Sequence, residues 1–269
     1  MSDAVELISR AKELYRREEN PVTSLLIRTA LAEATADPVG VEPPLLAEAW
    51  ALRGHNLICD YLNRWNNAGK AELAQAEAAA RSALQTDASL PYVHYACGFI
   101  HRAKGEHQAS FDRFSETIRL KPDYARAYAQ AANELTHLGK LNDALVAVRE
   151  AIRIGSSDLS LGAFYWIMGR AQFYGNDDGE AVVSLGRSIK LKSNVWYNRL
   201  YLVSARMFVG DETAAATVLA EFDTLFPGYS VAQVVSNEEA SPSEHSVFSS
   251  GRRKFHEGLI AAGMPAGAI

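Results

Sequence analysis

The feature that most limits how this chain can fold is a repeat of 34 residues. Gly98, Gly105, Phe114 and Pro122 mark one copy. Shifted by 34 positions, the same places hold Ala132, Gly139, Val148 and Ser156, and in the last copy Val203, Gly210, Leu219 and Pro227. A small residue marks the second half of each copy: Ala76, Ser110 and Ala144 are spaced by 34, Ala181 follows after 37, and Ala215 after 34 again. The three extra residues fall near Asp158-Leu159-Ser160-Leu161, between two copies. Such a chain builds one small unit many times. A single unit cannot bury its own apolar face, so the units must stack.

Within a copy the apolar spacing is helical. Ala125, Tyr128, Ala131, Ala132 and Leu135 recur at three- and four-residue steps, as do Leu145, Val148, Ala151 and Ile152. No stretch alternates convincingly, so the expected class is all-α. Each copy reads as two antiparallel helices. Gly105, Gly139 and Gly210 sit at the turn, where a residue ending a helix often needs positive φ. Pro122 and Pro227 stop the second helix. Small residues let the paired helices approach, and Phe114 or Val148 fills the space between neighbouring units.

This pattern resembles the tetratricopeptide-repeat (TPR) family. The resemblance covers most of the chain and implies a TPR α-solenoid, a right-handed superhelix of antiparallel helix pairs. We place repeats at 7–40, 47–90, 91–124, 125–158, 162–195 and 196–229. Residues 1–230 are then the solenoid, and 231–269 hold a linker, a C-terminal capping helix and a frayed tail. The Ser- and Glu-rich stretch 236–250 reads as the linker, Phe248–Gly263 as the capping helix, and Met264–Ile269 as the tail. Two copies depart from the pattern. The first has Leu26 where a small residue is expected. The second opens well with Trp50 and Gly54, then carries about ten extra residues around Asp60–Gly69. These read as a lengthened helix and longer turn, with a protruding contact element around Trp65 as the alternative.

Some segments are similar to a narrower lineage: Pro91–Tyr95, Leu161–Arg170, Phe226–Tyr229 and Phe255–Pro265. They resemble the C-terminal TPR halves of bacterial signalling proteins in which a class III adenylate/guanylate cyclase domain or a winged-helix DNA-binding domain precedes the repeats. The likeness implies a regulatory or scaffolding role. It carries no cyclase activity, because that portion has no counterpart in this sequence.

The net charge of −5 argues against a nucleic-acid surface. Arg252-Arg253-Lys254 is the only dense basic run. Cys59 and Cys97 make no disulfide framework and read as buried thiols of a reducing compartment. The N-terminus lacks the basic and apolar regions of a signal peptide, and no apolar run reaches the ~20 residues that span a bilayer. The expected location is cytoplasmic, without membrane insertion. No P-loop, GxGxxG, GxSxG or HExxH occurs. His94 and His101 share a helix face with Cys97 beside them, yet His94 and Cys97 sit where the repeat wants core residues, so packing is the expected role. Asp177-Asp178-Gly179-Glu180 lies in a turn and lacks the ligand spacing of a calcium loop. The expectation is a non-enzyme with no cofactor and no metal.

The family resemblance also implies a binding surface. In TPR proteins the first helix of each repeat lines the concave groove, leaving positions two, five, nine, twelve and thirteen free for ligands. The candidates on those positions are Tyr92, Tyr95, Phe99 and Arg102 in the third repeat and Arg126, Asn133 and His137 in the fourth. Trp166, Arg170 and Tyr174 follow in the fifth, and Tyr197 in the sixth. Such residue types are favoured at protein interfaces. Arg102, Arg126 and Arg170 recur on successive repeats and suit a peptide carboxylate. The chaperone-type carboxylate clamp is not assembled, since only Asn133 fits it. The expected partner is a protein or peptide segment, with self-association into a homo-oligomer as the alternative. Packing of these aromatics on each other or on the C-terminal segment stays open.

Overall fold

Turn chemistry sets the hairpins. In the computed structural model, which describes residues 3–17, 20–191, 197–238 and 242–267, three turn glycines adopt left-handed backbone: Gly105 at φ 74°, Gly139 at 71° and Gly210 at 78°. The fifth repeat differs. Gly175 has φ −81°, and the left-handed residue is Asn176 at φ 62°. Asn tolerates this region because its short polar side chain bonds locally.

The described residues are all helical apart from turns. Six antiparallel pairs follow one another: α1 (Asp3–Arg17) with α2 (Pro21–Ala36), α3 (Pro43–Asn63) with α4 (Lys70–Thr86), α5 (Pro91–Ala103) with α6 (His107–Leu120), α7 (Ala125–His137) with α8 (Leu141–Ile154), α9 (Leu161–Tyr174) with α10 (Asp178–Lys190), and α11 (Asn198–Phe208) with α12 (Glu212–Leu225). Two further helices close the chain, α13 (Val231–Glu238) and α14 (Ser246–Ala261). The boundary stretch 192–196 between the fifth and sixth expected repeats lies outside the described residues. No described helix is long and apolar enough to cross a membrane.

The chain divides into two compact units: Met1–Pro122 with Ala240–Pro242, and Asp123–Glu239 with Ser243–Ile269. The first is built from α1 to α6, the second from α7 to α14.

In both units the small residue of each second helix is sealed against the first helix. Ala76 and Ser110 in the first unit, and Ala144, Ala181 and Ala215 in the second, are fully buried. Ser110 also donates its hydroxyl to the Gly98 carbonyl at 2.8 Å. Opposite lies a matched pair of sizes. Gly98 faces the ring of Phe114, and a Cβ added there would sit 2.6 Å from two ring carbons. Gly169 faces Leu185 in the same way, at 2.6 Å from Cγ. The equivalent places of the fourth repeat hold Ala132 and the smaller Val148, both fully buried.

Three expectations need correction. In the first repeat the small buried residue is Ser24, at 4% exposure, whereas Leu26 faces outward at 46%. Counting from the helix start explains it: Ser24 stands three residues after Pro21, as Ser110 does after His107. In the last repeat Leu219 is only half-buried and Phe222 takes the interior place. The stretch expected to be a linker begins as α13. Its free N-terminal amides, which a helix leaves without internal partners, are taken by the tail: Val231 N–H bonds the Pro265 carbonyl and Ala232 N–H that of Ala266, both at 2.9 Å. Met264 is buried, so residues 264–267 are held in place, while 268–269 lie outside the described residues.

The insertion in the second repeat is a lengthened α3 of 21 residues followed by a 3-10 turn at Trp65–Asn67. Arg64, Asn66 and Asn67 all adopt positive φ there. The turn is tied back to the body, because the Asn66 amide donates to the Pro21 carbonyl at 3.0 Å and to Asp60 at 3.1 Å. Asp60 is fully buried and also accepts from the Ser24 hydroxyl and the Arg28 guanidinium. Trp65 is half-buried.

Candidate functional site

The first helices of each unit carry most of the residues expected to meet a ligand. In the first unit α1, α3 and α5 contribute an aromatic cluster around His55, which is 2% exposed. The Tyr15 and Tyr92 hydroxyls each lie 3.0 Å from His55 Nδ1. The opposite ring nitrogen lies 3.4 Å from the Cys59 thiol. Phe99 and Tyr95 pack on the imidazole with ring centres 4.5 and 5.5 Å away. The Arg102 guanidinium stands 4.9 Å over the Phe99 ring and 5.5 Å over Phe114, a cation–π arrangement. His55 was not among the sequence candidates. The signal was present: it follows Gly54 as Phe99 follows Gly98, and so occupies position nine of its repeat.

His94 and His101 take separate partners. His94 Nε2 lies 2.8 Å from the Ala88 carbonyl, and His101 Nδ1 lies 2.6 Å from Glu106. Burial pushes the Cys97 thiol up to about 11, which keeps it protonated and unreactive at neutral pH. Among the described residues no group of three His, Cys, Asp or Glu gathers that could hold a metal ion.

In the second unit the face formed by α7, α9 and α11 is occupied by the chain's own α14. The helix contacts α9 and α11 along its length, and its buried residues are Phe248, Gly251, Phe255, Gly258 and Leu259. That spacing of three, four, three and one places them on a single stripe. Phe248 stacks on His137 with ring centres 4.2 Å apart and meets Tyr174 edge-on at 5.4 Å. Phe255 lies parallel to Tyr201 at 3.9 Å. Two glycines allow the close approach. A Cβ at Gly251 would fall 2.3 Å from the Tyr174 ring, and one at Gly258 would fall 2.7 Å from Ser204 Cβ. Ser204 donates its hydroxyl to the Phe255 carbonyl at 2.8 Å.

Lys254 anchors the helix. Its ammonium donates to the Phe173 carbonyl, Asn176 Oδ1 and Asp178 Oδ1 at 3.2, 3.0 and 2.6 Å, while standing over the Phe173 and Phe208 rings. Asn176 is the left-handed residue that replaces glycine in this one turn. Its side chain therefore supplies a contact that Gly105, Gly139 and Gly210 cannot. On the other flank Glu238 of α13 accepts from Arg252 and His256 of α14 at 3.0 and 2.8 Å.

Of the sequence candidates in this unit, Tyr197 stands at the N-cap of α11 and the others lie on α7 and α9. Asn133, His137, Trp166, Arg170 and Tyr174 are all buried. Arg170 donates to Asn133 Oδ1 and stands over the Trp166, Tyr174 and Phe248 rings. No carboxylate pairs with it among the described residues, and its Nε has no partner, nor has the Trp166 indole N–H. Arg126 differs: its guanidinium forks onto Asp158 through bonds of 3.1 to 3.2 Å. Burial opposes ionisation of Asp158, but Arg126 and the Ser160 amide outweigh it and hold that carboxyl below its ordinary range. Tyr197 is half-buried, its ring 4.8 Å from Trp166. The Tyr174 and Tyr201 hydroxyls bond each other at 2.8 Å, and burial raises both well above the ordinary phenol range. In the first unit Tyr95, Phe99 and Arg102 are buried and Tyr92 half-buried.

No family model and no curated protein matches the sequence. Solved structures do match the fold. The Pseudomonas aeruginosa protein pilF superposes with a TM-score of 0.59 at 15% identity, over 84% of this chain and 93% of that one. PilW, described as a type IV pilus biogenesis factor, gives 0.59 at 14% identity, over 78% and 92%. A tetratricopeptide repeat protein from Parabacteroides merdae gives 0.55 at 11% identity, over 97% and 92%. The fold is the TPR solenoid fold.

Proposed function

We propose that this chain is a non-enzymatic protein-interaction scaffold whose first-helix faces bind protein segments. The single observation that carries the reading is α14. In the second unit the face built from α7, α9 and α11 holds an amphipathic helix through stacked aromatics, glycine clearances and a half-buried ammonium. A surface that grips one helix in this manner has the physical makings of a helix- or peptide-binding groove. In the first unit the corresponding first-helix positions hold Tyr92, Tyr95, Phe99 and Arg102 beside Tyr15 and His55, with Tyr15 and Tyr92 half-buried and the others buried. Tyr, Trp and Arg are the types that dominate binding energy at interfaces. The likeness of four segments to bacterial signalling proteins supports a regulatory setting in the cytoplasm, with a protein or peptide as partner.

The test uses the two half-buried aromatic candidates, Tyr92 and Tyr197. Wild type and a Tyr92→Ala/Tyr197→Ala variant are compared in affinity capture, with circular dichroism and melting to verify the fold. The expected outcome is loss of partners retained by wild type. Capture of the same partners in equal amount by both proteins would show that the faces are assigned wrongly.

A further inference from the structure

The resident helix satisfies its site unevenly. Around its second half every strong group is matched: Lys254 has three acceptors and two rings, and Phe255 has Tyr201 and the Ser204 hydroxyl. Around its first turn the match is incomplete. Phe248 covers the Arg170 guanidinium with a ring 5.6 Å away, and Arg170 is only 6% exposed. Asn133 Oδ1 and three rings face this guanidinium, but among the described residues no carboxylate pairs with it, so the opposite charge that usually offsets desolvation of a buried ion is missing. Arg170 Nε and Trp166 Nε1 are both buried and without partners, and unmade hydrogen bonds at buried donors are costly. Both donors lie on α9, one helical turn apart.

We infer that the α7–α9–α11 face is a receptor for an amphipathic helix, that α14 is its resident occupant, and that the partner which replaces α14 is a helix presenting a carboxylate to Arg170 at the place of Phe248. The inference rests on the reading of the chain as an interaction module and specifies the partner of one face. A carboxylate there gains charge-assisted bonds from a desolvated guanidinium, which are stronger than neutral ones. The remaining features of the partner follow from α14: small residues at the places of Gly251 and Gly258, a cation at that of Lys254 and an aromatic ring at that of Phe255. Because α14 is tethered to the face it covers, a partner supplied in trans must outcompete it. The receptor stays closed to helices that lack the acidic residue.

The probe is a fluorescein-labelled 20-residue peptide with the sequence of residues 244–263, made with Phe, Glu or Gln at position 248 and titrated into the full chain. The Glu form is expected to bind about ten-fold tighter than the Gln form, the scale of one charge-assisted bond. That preference should fall below about two-fold for the Arg170→Gln chain, since the charged partner is gone. In the Lys254→Ala chain, whose own α14 is loosened, all three peptides should bind about five-fold tighter or more. Equal binding of the Glu and Gln forms, persistence of the preference without Arg170, or no binding of any form at about 1 mM overturns the inference. Should Arg170→Gln fail to fold, the full-length pair Phe248→Glu and Phe248→Gln decides the charge argument. Glu must melt higher than Gln at neutral pH, and the reverse order sinks it. Failure of the peptides while the Tyr92→Ala/Tyr197→Ala variant still loses its partners removes this inference and leaves the interaction module standing.

Discussion

Replacing Gly98 by Ala is the sharpest test of how the repeats close. In an exposed helix interior this change stabilises by about 1 kcal/mol, because glycine has more backbone freedom to lose. At Gly98 the new Cβ meets Phe114 Cε1 and Cζ at 2.6 Å. An ordinary carbon contact is about 3.5–4.0 Å, so the ring must retreat by about 1 Å. It has nowhere to go. Phe114 is fully buried, with Tyr95 and Phe99 edge-on at 5.6 and 5.5 Å and Arg102 over its face. Overpacking of a closed core costs about 1–3 kcal/mol. Taking the upper end for a ring enclosed on three sides, the net loss is about 2 kcal/mol after the helix gain. Phe114→Val alone opens a cavity and should cost about 2–3 kcal/mol, somewhat less than Phe→Ala. The double variant recreates the Ala132/Val148 arrangement of the fourth repeat. It should be more stable than the sum of the single changes by about 2 kcal/mol, since the added methyl enters the vacated space. The assay is urea unfolding followed by circular dichroism, with unchanged m-values as the sign that only the native state was altered. A neutral or stabilising Gly98→Ala, or additivity within about 0.5 kcal/mol, would refute the size-matching argument. Gly186→Ala is the control: nothing lies within 4 Å of its added Cβ, so it should stabilise by about 1 kcal/mol.

Asn176→Ala should destabilise by about 1–2 kcal/mol through its left-handed backbone, whereas Asn176→Gly should keep the turn and lose the Lys254 contact, an outcome read as equal melting but faster proteolysis near α14. Asp60→Ala removes the carboxylate bonded to Arg28, Ser24 and Asn66 and should cost about 3–5 kcal/mol in urea unfolding, since it takes that partner from the guanidinium; a loss below about 1 kcal/mol would show that this network is dispensable. For alkaline pH the sign follows from Cys97. Its folded value of about 11 lies above the ordinary thiol value, so the unfolded chain releases that proton first. Stability is then complete below the ordinary thiol value and falls between it and about pH 11. The raised Tyr174 and Tyr201 extend the decline above the ordinary phenol value. Cys97→Ala should flatten the first part of that decline in melts run at increasing pH, and an unchanged slope would count against a buried thiol as its source.

Much of the fold is legible in the chain because its signals are local. A helix ends where Gly105, Gly139 or Gly210 can take positive φ, and a pair closes where Ser110 or Ala144 leaves room. Each of these requirements is met by a residue type at a fixed distance from its neighbours. The same locality explains the misreadings. Leu26 was expected at the small-residue place because the first repeat offers no turn glycine to set the count, and Ser24 appears only once the start of α2 is known. The turn of the fifth repeat was read at its Asp and Gly residues, while the left-handed position belongs to Asn176.

The candidate site was half legible. Family positions on the first helices named Tyr92, Asn133, Trp166, Arg170 and Tyr174 without any view of what covers them. That α14 lies on His137, Arg170 and Tyr174 was decided by tertiary structure alone, because Lys254 meets Asp178 across 76 residues and Ser204 meets Phe255 across 51. A period of 34 carries no information about which distant helix fills a face. By itself the sequence determined an all-α chain of stacked hairpins with their turns and small-residue contacts. The tertiary structure decided that one face is already occupied, and that the occupant leaves the buried Arg170 guanidinium without a carboxylate among the described residues, since burial depends on what the folded chain brings over each side chain.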